Sequence, residues 1–121
     1  MDINPNVEPD FYDPKNAWPD GSSFVGADCQ VFDFARAVLR KADFTDADCD
    51  GASFSEANLK GANFDGANLR DVDFSGADLQ NANFLGATLT NANFTGSNIE
   101  GANFENADLA GAIDPFGKSF G

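Results

Sequence analysis

Through residues 42–112 a small residue, nearly always Ala, recurs every five positions, and a large apolar residue follows it two positions later. One five-residue unit has too little apolar surface to fold alone. An unbroken short period therefore marks a chain that stacks its units on one another as a solenoid. The large residue is the centre of each unit. The centres run Phe24, Cys29, Phe34, Leu39, Phe44, Cys49, Phe54, Leu59, Phe64, Leu69, Phe74, Leu79, Phe84, Leu89, Phe94, Ile99, Phe104 and Leu109, with no slip in frame. The residue two before each centre is Ala except at Ser22, Phe32, Val72 and Ser97. A period of five fits neither the helical period of about 3.6 nor the strand period of about 2. Within a unit, however, the centre and the small residue share one side, as in a short strand. The other three positions are mostly Asp, Asn, Ser, Thr and Gly, which face water and turn the corner.

The centres alternate between Phe and a Leu, Cys or Ile. This predicts coils of four units, with Phe on two opposite sides and the smaller apolar residues on the other two. Phe24, Phe44, Phe64, Phe84 and Phe104 then form one column, and Phe34, Phe54, Phe74 and Phe94 the column facing it. So narrow a tube admits one large and one small side chain per side, which explains Ala.

The spelling Ala67-Asn68-Leu69 and Ala102-Asn103-Phe104 resembles the pentapeptide repeat family, over residues 22–113. The resemblance implies an all-β fold, a right-handed quadrilateral β-helix of about 4.5 coils of 20 residues each. Nine corners are Gly, which accepts the positive φ of a type II turn. The first corners, Val31, Arg36, Lys41 and Asp46, depart from that pattern and predict turns of other types.

Residues 1–21 hold four of the five prolines and five acids, which excludes a helix or central strand. An extended cap over the first coil is expected there, with Phe11, Tyr12 and Trp18 as apolar cover for the open end. The segment 31–41 has an amphipathic helical alternative, but Phe34, Ala37 and Leu39 keep the repeat frame and favour coil; Phe32 is the misfit. Residues 114–121 form the expected C-terminal cap and tail, with Ile113, Phe116 and Phe120 closing the far end and Pro115 stopping strand addition. The domain division is thus 1–21, 22–113 and 114–121.

The chain has no His, so Ser/His and Cys/His nucleophilic pairs and His-bearing metal sites are excluded. Carboxylates are abundant, but on the convex outside of a solenoid they lack the cleft that acid–base catalysis requires. The reading is a protein that is not an enzyme, with no cofactor and no metal. Asp46, Asp48, Asp50 and Gly51 mimic the start of a calcium loop, but the Glu required at position twelve is replaced by Ala57. Cys29 and Cys49 are one coil apart and should stack as buried free thiols of low reactivity. Strand spacing brings their Cα atoms within disulfide range but leaves their parallel Cβ atoms wider apart than a disulfide prefers.

Charge is the one functional lead. The net charge is −13, and residues 71–117 contain no Lys or Arg. This argues against nucleic acid or anionic membranes as direct partners and favours a protein with a basic surface. The acids singled out are Asp28, Asp48, Asp50, Asp71, Asp73, Asp78 and Asp108. The expected function is a non-catalytic interaction or structural module presenting a rigid acidic surface, as a monomer or an end-to-end dimer. The alternative, carried by the family resemblance, is a DNA-mimicking modulator of a type II topoisomerase such as gyrase. No apolar run is long enough to span a membrane and no signal or transit peptide is visible. The compartment expected is therefore cytoplasmic, or the thylakoid lumen for a processed form, since the family is common in cyanobacteria and that lumen.

Overall fold

The structure, a computed structural model, describes residues 17–120. Its ladder consists of parallel bridges between residues twenty apart: Ser23 with Asp43, Asp43 with Asn63, Asn63 with Asn83 and Asn83 with Asn103 on one side, and likewise on the other three. The first side carries the Phe24 column, the second Cys29, the third Phe34 and the fourth Leu39.

Each unit is tied to the coil that follows it by backbone bonds at the bridge and at the corner. Phe44 N donates to Asn63 O at 2.7 Å, Asn63 N to Ala42 O at 2.9 Å, and Asp46 N to Asp65 O at 2.9 Å. A further bond closes each corner, as from Ala47 N to Phe44 O at 3.0 Å. Backbone polar groups lying between coils are thereby paired, as burial requires. The helical alternative for residues 31–41 does not form; that segment is coil with bridges at Asp33 and Val38.

The tube is filled as the alternation predicts. Rings of the Phe24 column stack with centroids 4.5 Å apart at Phe24–Phe44 and 5.2 Å at Phe64–Phe84. The facing column stacks at 5.0 Å for Phe34–Phe54. The two columns meet edge to face across the axis, at 5.4 Å for Phe44–Phe54. Stacked contacts along the axis and T-shaped contacts across it are both favoured by the ring quadrupole. Ala at the small positions is buried from Ala37 to Ala92 and partly buried at Ala27, Ala102 and Ala107 in the end coils, and Phe32, the misfit, is half-buried with its ring 4.5 Å from that of Phe34.

The corners correct one expectation. Val31, Arg36, Lys41 and Asp46 have φ of 52°, 63°, 58° and 58°, so their turns have the same left-handed third residue as the glycine turns. With the closing bond from the fourth residue to the first, these are type II turns. The three inter-coil bonds per unit impose the corner geometry whichever side chain is present. Gly leaves room where two corners meet closely: a Cβ on Gly101 or Gly111 would push aside the side-chain amide of Asn81 or Asn91 one coil before.

At the N-terminal end the register slips by one. Pro19 stands where each later unit has a centre, but it has no N–H to give. Val38 O accepts instead from Trp18 N at 3.0 Å, and the bridge there joins Ala17 to Val38, twenty-one residues apart. A one-residue slip moves a strand's side chains to the opposite face. Trp18 accordingly turns inward, is buried, and caps the aromatic columns edge-on at 5.3 Å from Phe24 and 6.4 Å from Phe34. Phe11 and Tyr12, the other expected cap residues, lie outside the described residues.

At the far end the chain reverses after Asp114, whose Oδ1 accepts from the N–H groups of Phe116 and Lys118. An antiparallel bridge then joins Ile113 and Ser119. Phe120 closes the columns as expected, 5.5 Å from Phe94 and 5.8 Å from Phe104. Phe116 does not: it is 86% exposed, because the turn points it outward. Ile99, Phe104 and Leu109 in the last coil are only partly buried. With Pro115, Phe116 and Phe120 nearby, Ser97 and Ile99 line a cleft of about 500 Å³ at this end.

Candidate functional site

The sequence offers carboxylates on a convex surface, and the structure sorts them by what each already does. One group occupies the ladder position, immediately before a centre. There the side chain folds over its own corner and accepts the N–H two residues on. Asp28 takes Gln30 N at 3.2 Å, Asp48 takes Asp50 N at 3.3 Å, Asp73 takes Ser75 N at 2.8 Å, Asp78 takes Gln80 N at 3.1 Å and Asp108 takes Ala110 N at 3.1 Å. Asp33 and Asp43 do the same toward Ala35 and Thr45. This is the Asx-turn habit of a short side chain with a terminal acceptor. Asn performs it equally well, as Asn63 does for Asp65 N at 2.9 Å. Local structure therefore needs the acceptor but not the charge.

The second group stands one or two residues after a centre, on the outer face or at the corner. Asp46, Asp50, Glu56, Asp65, Asp71, Glu100 and Glu105 belong here. Among the described residues none of these side chains makes a hydrogen bond or ion pair. Asp50 and Asp65 are half-buried and the others exposed.

Of the seven acids singled out from the sequence, Asp28, Asp48 and Asp108 share the ladder of the second side, Asp50 lies on its outer face and Asp71 at its following corner. The other two do not join them. Asp73 lies on the third side and Asp78 on the fourth, because each five-residue step turns the chain through a corner. Sequence reasoning overlooked Asp43, Asp46, Asp65 and Glu105 on the first side, next to the second. Their spacing by multiples of twenty from Ser23, Gly26 and Val25 was the available signal. First and second sides together form the acidic surface, on which Arg70 is the sole cation.

Like carboxylates stacked in a column repel, and neutral amides interrupt the stacks. Asn68 Nδ2 donates to Asp48 Oδ1 at 3.1 Å from the next coil, and Asn83 Nδ2 to Asn63 Oδ1 at 3.2 Å. Asp46, Asp48 and Asp50 occupy a corner, a ladder and an outer position. Among the described residues no three carboxylates or thiols converge on one point.

Beneath the second side, Cys29 and Cys49 are both buried and both free. A hydrogen bond with Cys29, then burial, then the neighbouring charges of Cys29, Asp48 and Asp28 hold the Cys49 thiol well above its ordinary pKa. It is a neutral filler rather than a nucleophile. The apolar residues on the outer faces and corners are covered to different degrees. Val25 is exposed, whereas Val38 and Leu85 are half-buried under neighbouring coils, and Val31 at its corner is 80% exposed.

The family model for pentapeptide repeats matches residues 22–61, 33–71 and 73–111 in eight copies. Among solved structures, a pentapeptide repeat protein from the thylakoid lumen of Arabidopsis thaliana is 36% identical with a TM-score of 0.75, the match covering 77% of this chain and 65% of that one. Rfr23, from the cyanobacterium Cyanothece, is 28% identical over 88% of this chain and 60% of its own, with a TM-score of 0.42. QnrB1, a plasmid-mediated fluoroquinolone resistance protein, is 23% identical over 76% and 65%, with a TM-score of 0.40. The chain thus spans less than two thirds of the length of each of these. No curated protein matches the sequence.

Proposed function

Because the chain belongs to the pentapeptide repeat family, whose fold is the right-handed quadrilateral β-helix, we propose that it is a rigid, non-catalytic docking module of about 4.5 coils. Its first and second sides present carboxylates to a basic protein surface. One observation carries the reading: Asp46, Asp50, Asp65, Asp71 and Glu105 project from these sides and none is engaged by another described residue. Ladder positions on the same sides carry Asp where Asn would serve the turn, so the charge exceeds what folding needs. A solenoid wall moves little on binding, so little ordering entropy opposes association.

Affinity capture followed by mass spectrometry, at low and physiological salt, tests the proposal. The expected partner is basic, and its affinity falls as the Debye length shortens to about 8 Å at physiological strength. Asp50→Asn with Asp65→Asn should weaken capture, since both groups are outside the backbone hydrogen bonds. A partner held equally at all salt concentrations, or indifferent to these substitutions, would remove the acidic surface from the function.

A second reading, mimicry of duplex DNA toward a type II topoisomerase, is favoured by charge density alone. A rod of about 22 Å, at a strand spacing of ~4.8 Å, matches a length of duplex bearing roughly 13 phosphates. Inhibition of gyrase supercoiling at micromolar protein would support it. We also propose residence in the thylakoid lumen, suggested by the source of the 36% identical Arabidopsis protein; fractionation of the source tissue tests that. No helix among the described residues is long and apolar enough to cross a membrane.

A further inference from the structure

The fourth side departs from the acidic character of the rest. Arg40 and Lys60 occupy its outer position on successive coils, stacked about 4.8 Å apart at the backbone. Lys41 stands at the following corner, and Arg36 at the corner before. The four cations are more than half of the seven in the chain, and all four are exposed. Among the described residues none makes an ion pair, although carboxylates are near. Asp78 is occupied on both oxygens by Gln80 Nε2, at 3.0 and 3.1 Å. Asp43 accepts on Oδ1 from Thr45 N and Oγ1, at 3.0 and 2.6 Å, which turns it toward its own corner. Asp20, in the Arg40 column, and Glu56, in the Arg36 corner column, remain as flanking charges. Arg40 and Lys60 are stacked with no ion pair among the described residues to offset their repulsion, which opposes folding, and the local structure does not require charge at either position.

We propose that this patch is a second docking surface, opposite in sign to the first, and that its occupant is a short carboxylate-rich segment of a partner protein. Size favours such a segment over larger polyanions. The patch covers two coils. Farther along the same side the outer position becomes Gln80 and then Glu100, so a duplex or a membrane laid against the whole side would meet a carboxylate. An extended segment presents alternate side chains every ~6.6 Å, close enough to the Arg40–Lys60 spacing for these flexible side chains to reach. The acids of the second side, across the tube, do not cancel the patch. They point into solvent on the opposite face, so their influence on a ligand at the fourth side runs largely through the screening solvent around the rod. The chain would then bridge a basic and an acidic partner from different sides of one rod.

The test uses the full chain and a fluorescently labelled oligo-glutamate peptide, read by anisotropy at low and physiological salt. Binding is expected, weakened tenfold or more by Arg40→Gln with Lys60→Gln, and unchanged by Arg70→Gln on the second side. The three positions are exposed, and matching thermal melts establish that each variant is folded. Lys60→Glu, alone, should abolish binding. Absence of peptide binding to the parent protein at low salt, or equal loss with Arg70→Gln, overturns the proposal. So does patch-dependent binding to phosphatidylglycerol vesicles without peptide binding, which would assign the patch to a lipid surface. None of these outcomes depends on the acidic sides binding anything.

Discussion

At the scale of single residues, each position has one physical task, and function is confined to what the task leaves over. The centre fills the tube, the small residue lets it, and the ladder residue closes the corner. Cys49 shows how strictly the interior is held. Its thiol is raised by its hydrogen bond to Cys29, by burial and by the nearby acids. In the unfolded chain a thiol ionises near pH 8.5, whereas in the folded chain it stays protonated. The unfolded state then binds fewer protons, and stability falls as pH rises above about 8.5. Thermal melts between pH 7 and 10 should show this loss, and Cys49→Leu, matching its column-mates Leu69 and Leu89, should flatten it. An equally steep profile in the variant would place the alkaline sensitivity elsewhere. Ser97 is the exception to the rule of tasks: it stands at a small position with its Oγ buried and unpaired.

At the scale of the corner and the coil, the centres, the columns and the twenty-residue pitch were legible in the sequence, because apolar volume repeats visibly. The corner conformation was not. Left-handed φ is read from Gly or Asn, and Val31, Arg36 and Lys41 announce nothing of the kind; the inter-coil bonds impose it. The inward turn of Trp18 was equally hidden, since it follows from the N–H that Pro19 lacks. The acids were legible in number but not in role, because a ladder Asp and an outer Asp read alike until the N–H each faces is known. Val31 bears the largest misfit, a β-branched residue at φ 52°. A left-handed conformation costs such a residue about 1–2 kcal/mol. Val31→Gly should therefore raise the melting temperature, and it removes an exposed apolar side chain as well. An unchanged or lowered melting point would mean that Val31 makes contacts worth more than its strain.

For the molecule as a whole, contacts reach only the next coil, so stability is a sum of neighbour terms rather than a property of one core. Damage at one end should stay there. Trp18→Ala removes the aromatic cap and, at about 3–5 kcal/mol for such a truncation, should free the first coil. Hydrogen exchange would then accelerate at the amides of Phe24, Cys29 and Phe34 while Phe74 and Phe84 keep their protection. Uniform acceleration along the chain would show that the rod unfolds as one unit. The same locality lets opposite charges occupy different sides without disturbing a shared interior.

The fixed pitch has a consequence for heredity. A gain or loss of twenty codons leaves every column aligned. Removing residues 62–81 joins Gly61 to Ala82 and sets Phe84 beside Phe44, so the rod only shortens. Removing 62–66 turns everything downstream by one side, sets Leu69 beside Phe44 and Phe74 beside Cys49, and misfits the tube throughout. The longer deletion should keep a β-type circular dichroism spectrum and a cooperative melt that the shorter one loses; equal damage by both would break the argument. Among insertions and deletions, selection would then pass one size and reject its fractions, so that lineages of such chains differ in length by whole coils while their surface charges drift independently.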